Sequence, residues 1–465
     1  MKRRDFIKST ALTAGATTLA ISTPFAVHSK ENQGVLQRKS IDEIDPSDYI
    51  DALTKLKDKN GGNDYVFYAN IHNSAVKRCE HNNDLFFPWH RALLHYFEKA
   101  LQAEVPGVTI PYYDYTKLPK SGKRYPAAFE KGGDILSQMY DDFQQKWVNT
   151  NRNTTSISKP FYPYVDEVTN VISKNPKWSS SNILTGGSSN GFGGLQRPLG
   201  GFGAIETPQH NLMHDLYIGG AMSSSVTAAF DPIFWSFHAY QDLIFELWLK
   251  KYGANTISDQ GRSLKNMPES ITLGEVLDTT RLGYIYDHPD MQPPVIASAI
   301  DEKNINLRQQ TSGSYAQKYP HVAELAGSYE AETISIYSFD IPTTFKATPF
   351  VMKDVVISDT VNLTGFVFLH PEEVDYEKGD ELFRERYLVD HFAIFSMPQM
   401  KGMKTDISID LTQEIVRLSA QSPGKKYKVT VTGFDSAVTK DAKTSAITKR
   451  TESEILTSAE LVILT

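Results

Sequence analysis

Six of the twelve histidines fall into two triplets whose spacing suits metal chemistry. His72, His81 and His90 form the first, and His210, His214 and His238 the second. Imidazole suits copper, and three per ion leave an open coordination position on each of two ions. Two such ions facing one another can hold dioxygen, so the pattern points to an oxidase or oxygenase. His210 and His214 stand at i and i+4, which on a helix puts both rings on one face about one turn apart. A zinc protease with that spacing has glutamate directly after the first histidine. Asn211 stands there instead, so a zinc hydrolase reading lacks its general base. His238 lies in an apolar run after Asp231-Pro232-Ile233-Phe234-Trp235. A solitary histidine there would more often be a core residue; the other triplet shifts that balance.

Four helical stretches are available to position these residues. A short one is expected near Pro46–Lys57. From Tyr65 to Leu101 the pattern is helical, with Leu93, Leu94, Phe97 and Leu101 at helical spacing. Helical patterning returns at Thr207–Leu216 and at Pro232–Tyr252. His90 opens a helix after Pro88, a residue tolerated in the first turn, whereas His72 and His81 are not expected to share one helix. Residues 104–204 read as a long irregular region. Its Gly186–Gly203 run lacks the Lys-Ser/Thr ending of a phosphate loop and reads as a loop near the site rim. Residues 288–333 read as a linker. From about Thr333 short β-rich segments follow, and Lys426–Thr432 alternates like a half-buried strand. The expected architecture is a mainly α catalytic domain, an antiparallel four-helix bundle over residues 30–287, followed by an all-β sandwich over 334–465.

The 465 residues carry a formal net charge of -7 and a hydrophobic fraction of 40%. That composition belongs to a folded globular chain. No basic run suggests a nucleic-acid surface, and after the leader no apolar stretch is long enough to anchor the chain in a bilayer. Residues 1–29 resemble a twin-arginine signal peptide, with Arg3-Arg4 followed by Phe6 and Lys8 and an Ala/Thr-rich stretch, so a periplasmic or secreted location is expected. Cys79 is the single cysteine, which excludes an intrachain disulfide.

The residues around both triplets resemble the type 3 copper proteins: tyrosinases, catechol oxidases (polyphenol oxidases) and haemocyanins. The resemblance rests on His81-x8-His90 around Phe86-Phe87-Pro88-Trp89-His90-Arg91, and on His210-x3-His214 with Asp231-Pro232-x-Phe234-Trp235-x-x-His238-x-x-x-Asp242. Val276–Tyr286 is similar to the tyrosine motif that closes the catalytic domain of plant-type polyphenol oxidases. Gly365–Phe368 and His391–Pro398 are similar to parts of their C-terminal domain. The resemblance implies two copper ions, with His72, His81 and His90 on one and His210, His214 and His238 on the other. It implies dioxygen and small phenols as partners, and a C-terminal domain that covers the active site and keeps the enzyme latent. Cys79-x-His81 matches the spacing of a cysteine–histidine thioether in fungal tyrosinases and molluscan haemocyanins; the alternative is a buried free thiol. Relatives often place a second histidine before the last ligand, where Phe237 stands here. They often have arginine after the aspartate, where Leu243 stands here, so a structural salt bridge is expected to be missing.

The same resemblance assigns roles near the second triplet. Glu206 and Asn211 match residues that orient and activate a water as general base for monophenols; helix capping is the plainer reading of Glu206. Asp215 and Ser225 match residues at the substrate entrance, although Asp215 could equally be a solvated charge. The expected activity is ortho-hydroxylation of monophenols and oxidation of o-diphenols to o-quinones. The alternatives are a catechol oxidase without hydroxylation and a haemocyanin-like oxygen carrier. The sequence is silent on oligomeric state.

Overall fold

In the computed structural model, the helical stretches expected from the hydrophobic periodicity are present, except that the one expected over Tyr65–Leu101 is divided into a helix ending at His72 and another starting at Phe86. They are α1 (Ser47–Asp58), α2 (Asn63–His72), α3 (Phe86–Glu104), α4 (Glu206–Ile218, two consecutive wide-turn segments about Leu212) and α5 (Ile233–Tyr252). The structure describes most of residues 34–289, with 154–164 and 181–189 the longest breaks, and most of 332–435 together with 458–461. The described residues from Val35 onward belong to one compact unit. The expected leader at 1–29 and most of the expected linker at 288–333 lie outside the described residues. Among the described residues no helix is long and apolar enough to cross a membrane.

The apolar stripe of α3 does what its spacing predicts: Leu93, Leu94, Phe97 and Leu101 are all buried. Phe97 stacks on Trp235 of α5 with ring centroids 3.6 Å apart. The Trp235 indole donates to the Tyr65 hydroxyl of α2 at 3.0 Å, so its one polar atom is satisfied inside the core. Pro88 falls in the first turn of α3, where no intrahelical N–H is lost. α5 stops at Gly253, whose φ of +83° takes the chain out of helical space.

A buried ionic cluster binds α3 and α5 to the ends of the helical region. β1 (Leu36–Arg38) pairs in parallel with β2 (Tyr284–Tyr286). From β1, Arg38 reaches Glu98 at 2.8 Å and Asp242 at 3.2 Å, and its guanidinium lies 3.5 Å over the Tyr284 ring. Arg91 pairs with the other Asp242 oxygen and with Glu246 at 2.9 Å. Leu243 cannot supply the salt bridge that an arginine at its position would make, but Asp242 itself is paired by two other arginines. Its arginines come from α3 and β1, far away in sequence. Arg91 directly follows His90, and Asp242 lies one turn after His238, so this pairing fixes two candidate ligands to each other.

Beyond residue 331 the described chain is mostly strand. β3 (Glu332–Asp340), β5 (Leu363–Pro371), β6 (Leu388–Ile394) and β8 (Lys426–Asp435) form a four-stranded antiparallel sheet in the order β6-β5-β8-β3. β4 (Pro349–Val356), β7 (Lys404–Asp410) and β9 (Ser458–Leu461) form a three-stranded antiparallel sheet in the order β7-β4-β9. β8 lies between two neighbours, and Thr430 to Thr432 are buried without alternation. The half-buried pattern expected over Lys426–Thr432 holds only at its start.

Candidate metal centre

Each histidine of the two triplets is delivered by a different piece of local structure. His72 is the last residue of α2, and His81 lies in the loop that leads into α3. His90 follows in the second turn of α3, and His238 sits in α5. His210 and His214 belong to α4, whose bonds run five residues back: His210 N–H to Ile205 at 3.0 Å and Gly219 N–H to His214 at 3.1 Å. Such wide turns are rare and are frequently found at functional positions. Here they keep the two rings 4.5 Å apart.

The six rings form two triangles. Centroids of His72, His81 and His90 are 5.5, 5.4 and 4.9 Å apart. Those of His210, His214 and His238 are 4.5, 5.0 and 5.5 Å apart. The triangles face one another: His90 stacks on His238 at 4.5 Å, and His81 lies 5.4 Å from His210. Phe86 covers one flank, against His81, His90 and His210. Phe234 covers the other, against His72, His214 and His238. Both phenylalanines belong to the sequence motifs around the ligands, but their role as flanks was not read from them, although each stands one helical turn before a candidate ligand.

Tautomers decide whether such a cluster can take a cation. His90 Nδ1 donates to the Phe86 carbonyl at 2.8 Å, and His214 Nδ1 to the Met222 carbonyl at 2.9 Å. A proton spent on Nδ1 leaves a lone pair on Nε2. The Asn211 side chain donates to the Ala393 carbonyl at 2.8 Å, so its oxygen is the end that faces His210 Nδ1 at 2.9 Å. This fixes His210 in the same tautomer. His90 Nε2 and His210 Nε2 have no hydrogen-bond partner, although both are buried. The Nε2 atoms of His72 and His81 lie 3.4 Å apart, and those of His214 and His238 3.3 Å apart. Convergent ring nitrogens of this kind fit late first-row metal ions such as copper.

Burial, reinforced by neighbouring imidazoles, holds His72, His90, His210 and His238 well below the usual histidine range; burial takes His214 down to about 3. All five are neutral at pH 7, as metal ligands must be. His81 differs. Burial disfavours its charge too, but Cys79 and Glu206 outweigh that and push the ring up to about 10. Cys79 is buried, and its sulfur and ring nitrogens of His72 and His81 lie within 4.8 Å of one another. Metal uptake at His81 therefore displaces a proton.

The remaining expected residues are close by but engaged. Glu206 is fully buried: one oxygen accepts from the Asn82 backbone N–H at 2.7 Å and lies 3.4 Å from His81 Nδ1, and the other lies 3.5 Å from the Gly203 N–H. Among the described residues Glu206 and Asn211 do not hydrogen-bond each other. Asp215 accepts from Asn362 at 2.7 Å and is 2% exposed, so it is not a solvated charge in this state. Ser225 is fully buried, with its backbone against His72. The glycine run does border the site. Gly194 has a φ of +102°, a Cβ there would lie 2.6 Å from the Gly201 carbonyl, and Gly201 N–H binds the Asn82 carbonyl at 2.9 Å.

Behind the second triangle, Gln241 donates to the Tyr115 hydroxyl at 3.0 Å, which donates to Gln209 at 3.1 Å. This strap ties α5 to the residue before His210. Asn82, with φ +58°, joins the ligand loop to Glu206, to the glycine run and to Thr405.

Residues 62–251 match the family model described as the common central domain of tyrosinase. A tyrosinase of Hahella sp. is 28% identical over 262 residues, which make up 51% of this chain and 53% of that protein. The chain thus spans about half the length of this relative. Latent apple tyrosinase shares the fold with a TM-score of 0.54 at 19% identity, over 86% of this chain and 94% of that one. A functional unit of octopus haemocyanin shares it with a TM-score of 0.54 at 16% identity, over 87% and 97%. The two triads can hold the dinuclear copper centre that this family uses.

Proposed function

We propose that this chain, whose residues 62–251 match the common central domain of tyrosinase, is a type 3 copper protein of that family and oxidises small phenols with dioxygen. The observation that carries the reading is the pair of facing imidazole triangles, with neutral rings whose tautomers are fixed from behind. His72, His81 and His90 would hold one copper and His210, His214 and His238 the other. When bound, the metals supply the electron transfer between phenol and dioxygen. The protein's own part is to fix the ligands, to exclude water and to move the phenolic proton.

For that proton the reading assigns Glu206 as base, with Asn211 as its partner, and hence hydroxylation of monophenols as well as oxidation of o-diphenols. In support, Glu206 is buried beside His81 of the first triangle, where a carboxylate is not screened by solvent. In the full chain the Asn211 amide is committed to Ala393 and Asp215 to Asn362. These commitments support a latent state, with two-sheet residues 334–465 as a sandwich domain covering the site of residues 30–287. Cleavage within 288–333 would release both groups. The Lys2–Lys8 stretch supports export by the twin-arginine route.

The test is oxygen uptake and quinone formation by copper-loaded chain, intact and cleaved in 288–333, with a monophenol and its catechol. Quinone from both, faster after cleavage, is the expected result. Quinone from catechol alone makes the protein a catechol oxidase; reversible oxygen binding without quinone makes it a carrier.

A further inference from the structure

Among the described residues, three hydrogen bonds from the C-terminal region land on the residue directly after a candidate ligand, and a fourth lands nearby on Ser223. Thr405 donates to the Asn82 side chain at 2.9 Å, next to His81. The Ala393 carbonyl accepts from Asn211 at 2.8 Å, next to His210. Asn362 donates to Asp215 at 2.7 Å, next to His214, and to the Ser223 carbonyl at 2.6 Å. Asn82, Asn211, Asp215, Asn362, Thr405 and Ala393 are all buried, so water does not compete for these bonds.

Each contact passes to a ring. Asn211 cannot turn its amide without losing either Ala393 or the His210 proton. Asn82 holds Glu206 through its backbone and adjoins His81 in the chain. Asn362 pins both Asp215 and Ser223, either side of the segment from His214 to Met222, whose carbonyl fixes the His214 tautomer. The contacts reach both triangles.

We propose that the C-terminal strands are a positioning element of the metal centre. They hold Asn82, Asn211 and Asp215, strengthen the grip on copper, and are themselves held more firmly when copper is present. This rests on the dicopper reading. Coupling between two binding events is reciprocal, so copper must tighten strand docking by the factor by which docking tightens copper.

The test uses the full chain. Copper retention against a competing chelator is compared for wild type, Thr405→Val, Asn362→Ala and the double variant. Hydrogen exchange over 362–371 and 388–394 is followed with and without copper. Wild type is expected to retain two coppers, and the double variant, which loses three buried hydrogen bonds, to lose them about tenfold more readily, since only part of that loss passes to the metal. Thr405→Ser, which keeps the hydroxyl, should behave as wild type. Copper should slow exchange at both strand segments in wild type, a comparison that needs no variant. Equal copper retention in all variants, with exchange indifferent to copper, overturns the coupling while leaving the metal reading intact. A wild-type chain that takes up no copper overturns the metal reading and this one with it.

Discussion

The Tyr284 hydroxyl donates to the Asp242 carboxylate at 2.6 Å, with both groups buried, and so the end of the helical region is tied to the helix that carries His238. Tyr286 donates to the same oxygen at 2.6 Å, and Arg38 and Arg91 complete the surroundings. Burial opposes a charge on Asp242, but the two arginines and two hydroxyls hold its carboxyl below the ordinary range. A carboxyl depressed on folding stabilises above its unfolded value, about 3.9, and loses that contribution as pH falls through the folded one. Asp242→Asn removes the carboxylate shared by two buried arginines, leaving Arg38 with Glu98 and Arg91 with Glu246, and should cost about 3 kcal/mol at pH 7. Urea unfolding across the acid range should show the loss shrinking below pH 4. A cost that stays constant with pH would contradict this account.

Cys79 and His81 are expected to be joined once copper and oxygen have acted. The thiol and a ring carbon each give up a hydrogen, and dioxygen takes the two electrons. The intact mass should then be two hydrogens below that of the reduced sequence, with no titratable thiol. A full mass and a free thiol would exclude the bond.

Glu206→Gln keeps an oxygen for the Asn82 N–H but removes the base. Monophenol turnover should fall by about 10²- to 10⁴-fold, the usual range for general-base loss, with diphenol turnover much less affected. Asn211→Leu should act in the same direction. Equal losses on both substrates would remove the base assignment.

Tyr115→Phe deletes the hydroxyl between Gln209 and Gln241. Two buried amides lose that partner, at a cost of about 1–3 kcal/mol in denaturant unfolding. Because the strap lies behind His210 and His238, copper at the second triangle should also be lost more readily than at the first. Unchanged stability would show that the amides re-pair locally.

The six candidate ligands were legible because histidine type and spacing survive in a linear string, and α3 and α5 were legible because their apolar residues recur at the helical period. The wide winding of α4 was not, since spacing by four fits an ordinary helix equally well. The partners of Asp242 could not be read from its neighbours in the chain. Its arginines stand 151 and 204 positions away, where only folding brings them in. Ala393 could not have been found from residue type at all, since it acts through a backbone carbonyl. Phe86 and Phe234 carried a readable signal in their position one turn before His90 and His238.

The parallel pairing of Leu36–Arg38 with Tyr284–Tyr286 makes the helical region nearly a closed loop. Leu36 N–H binds the Gly283 carbonyl and Asp287 N–H the Arg38 carbonyl, each at 2.9 Å. At about 3.3 Å per strand residue and 4.8 Å between strands, its two ends lie within roughly 10 Å of each other. A few linking residues could join them, and new termini could be opened in a surface loop. Such a circular permutant would keep every ligand-bearing helix in its original neighbourhood.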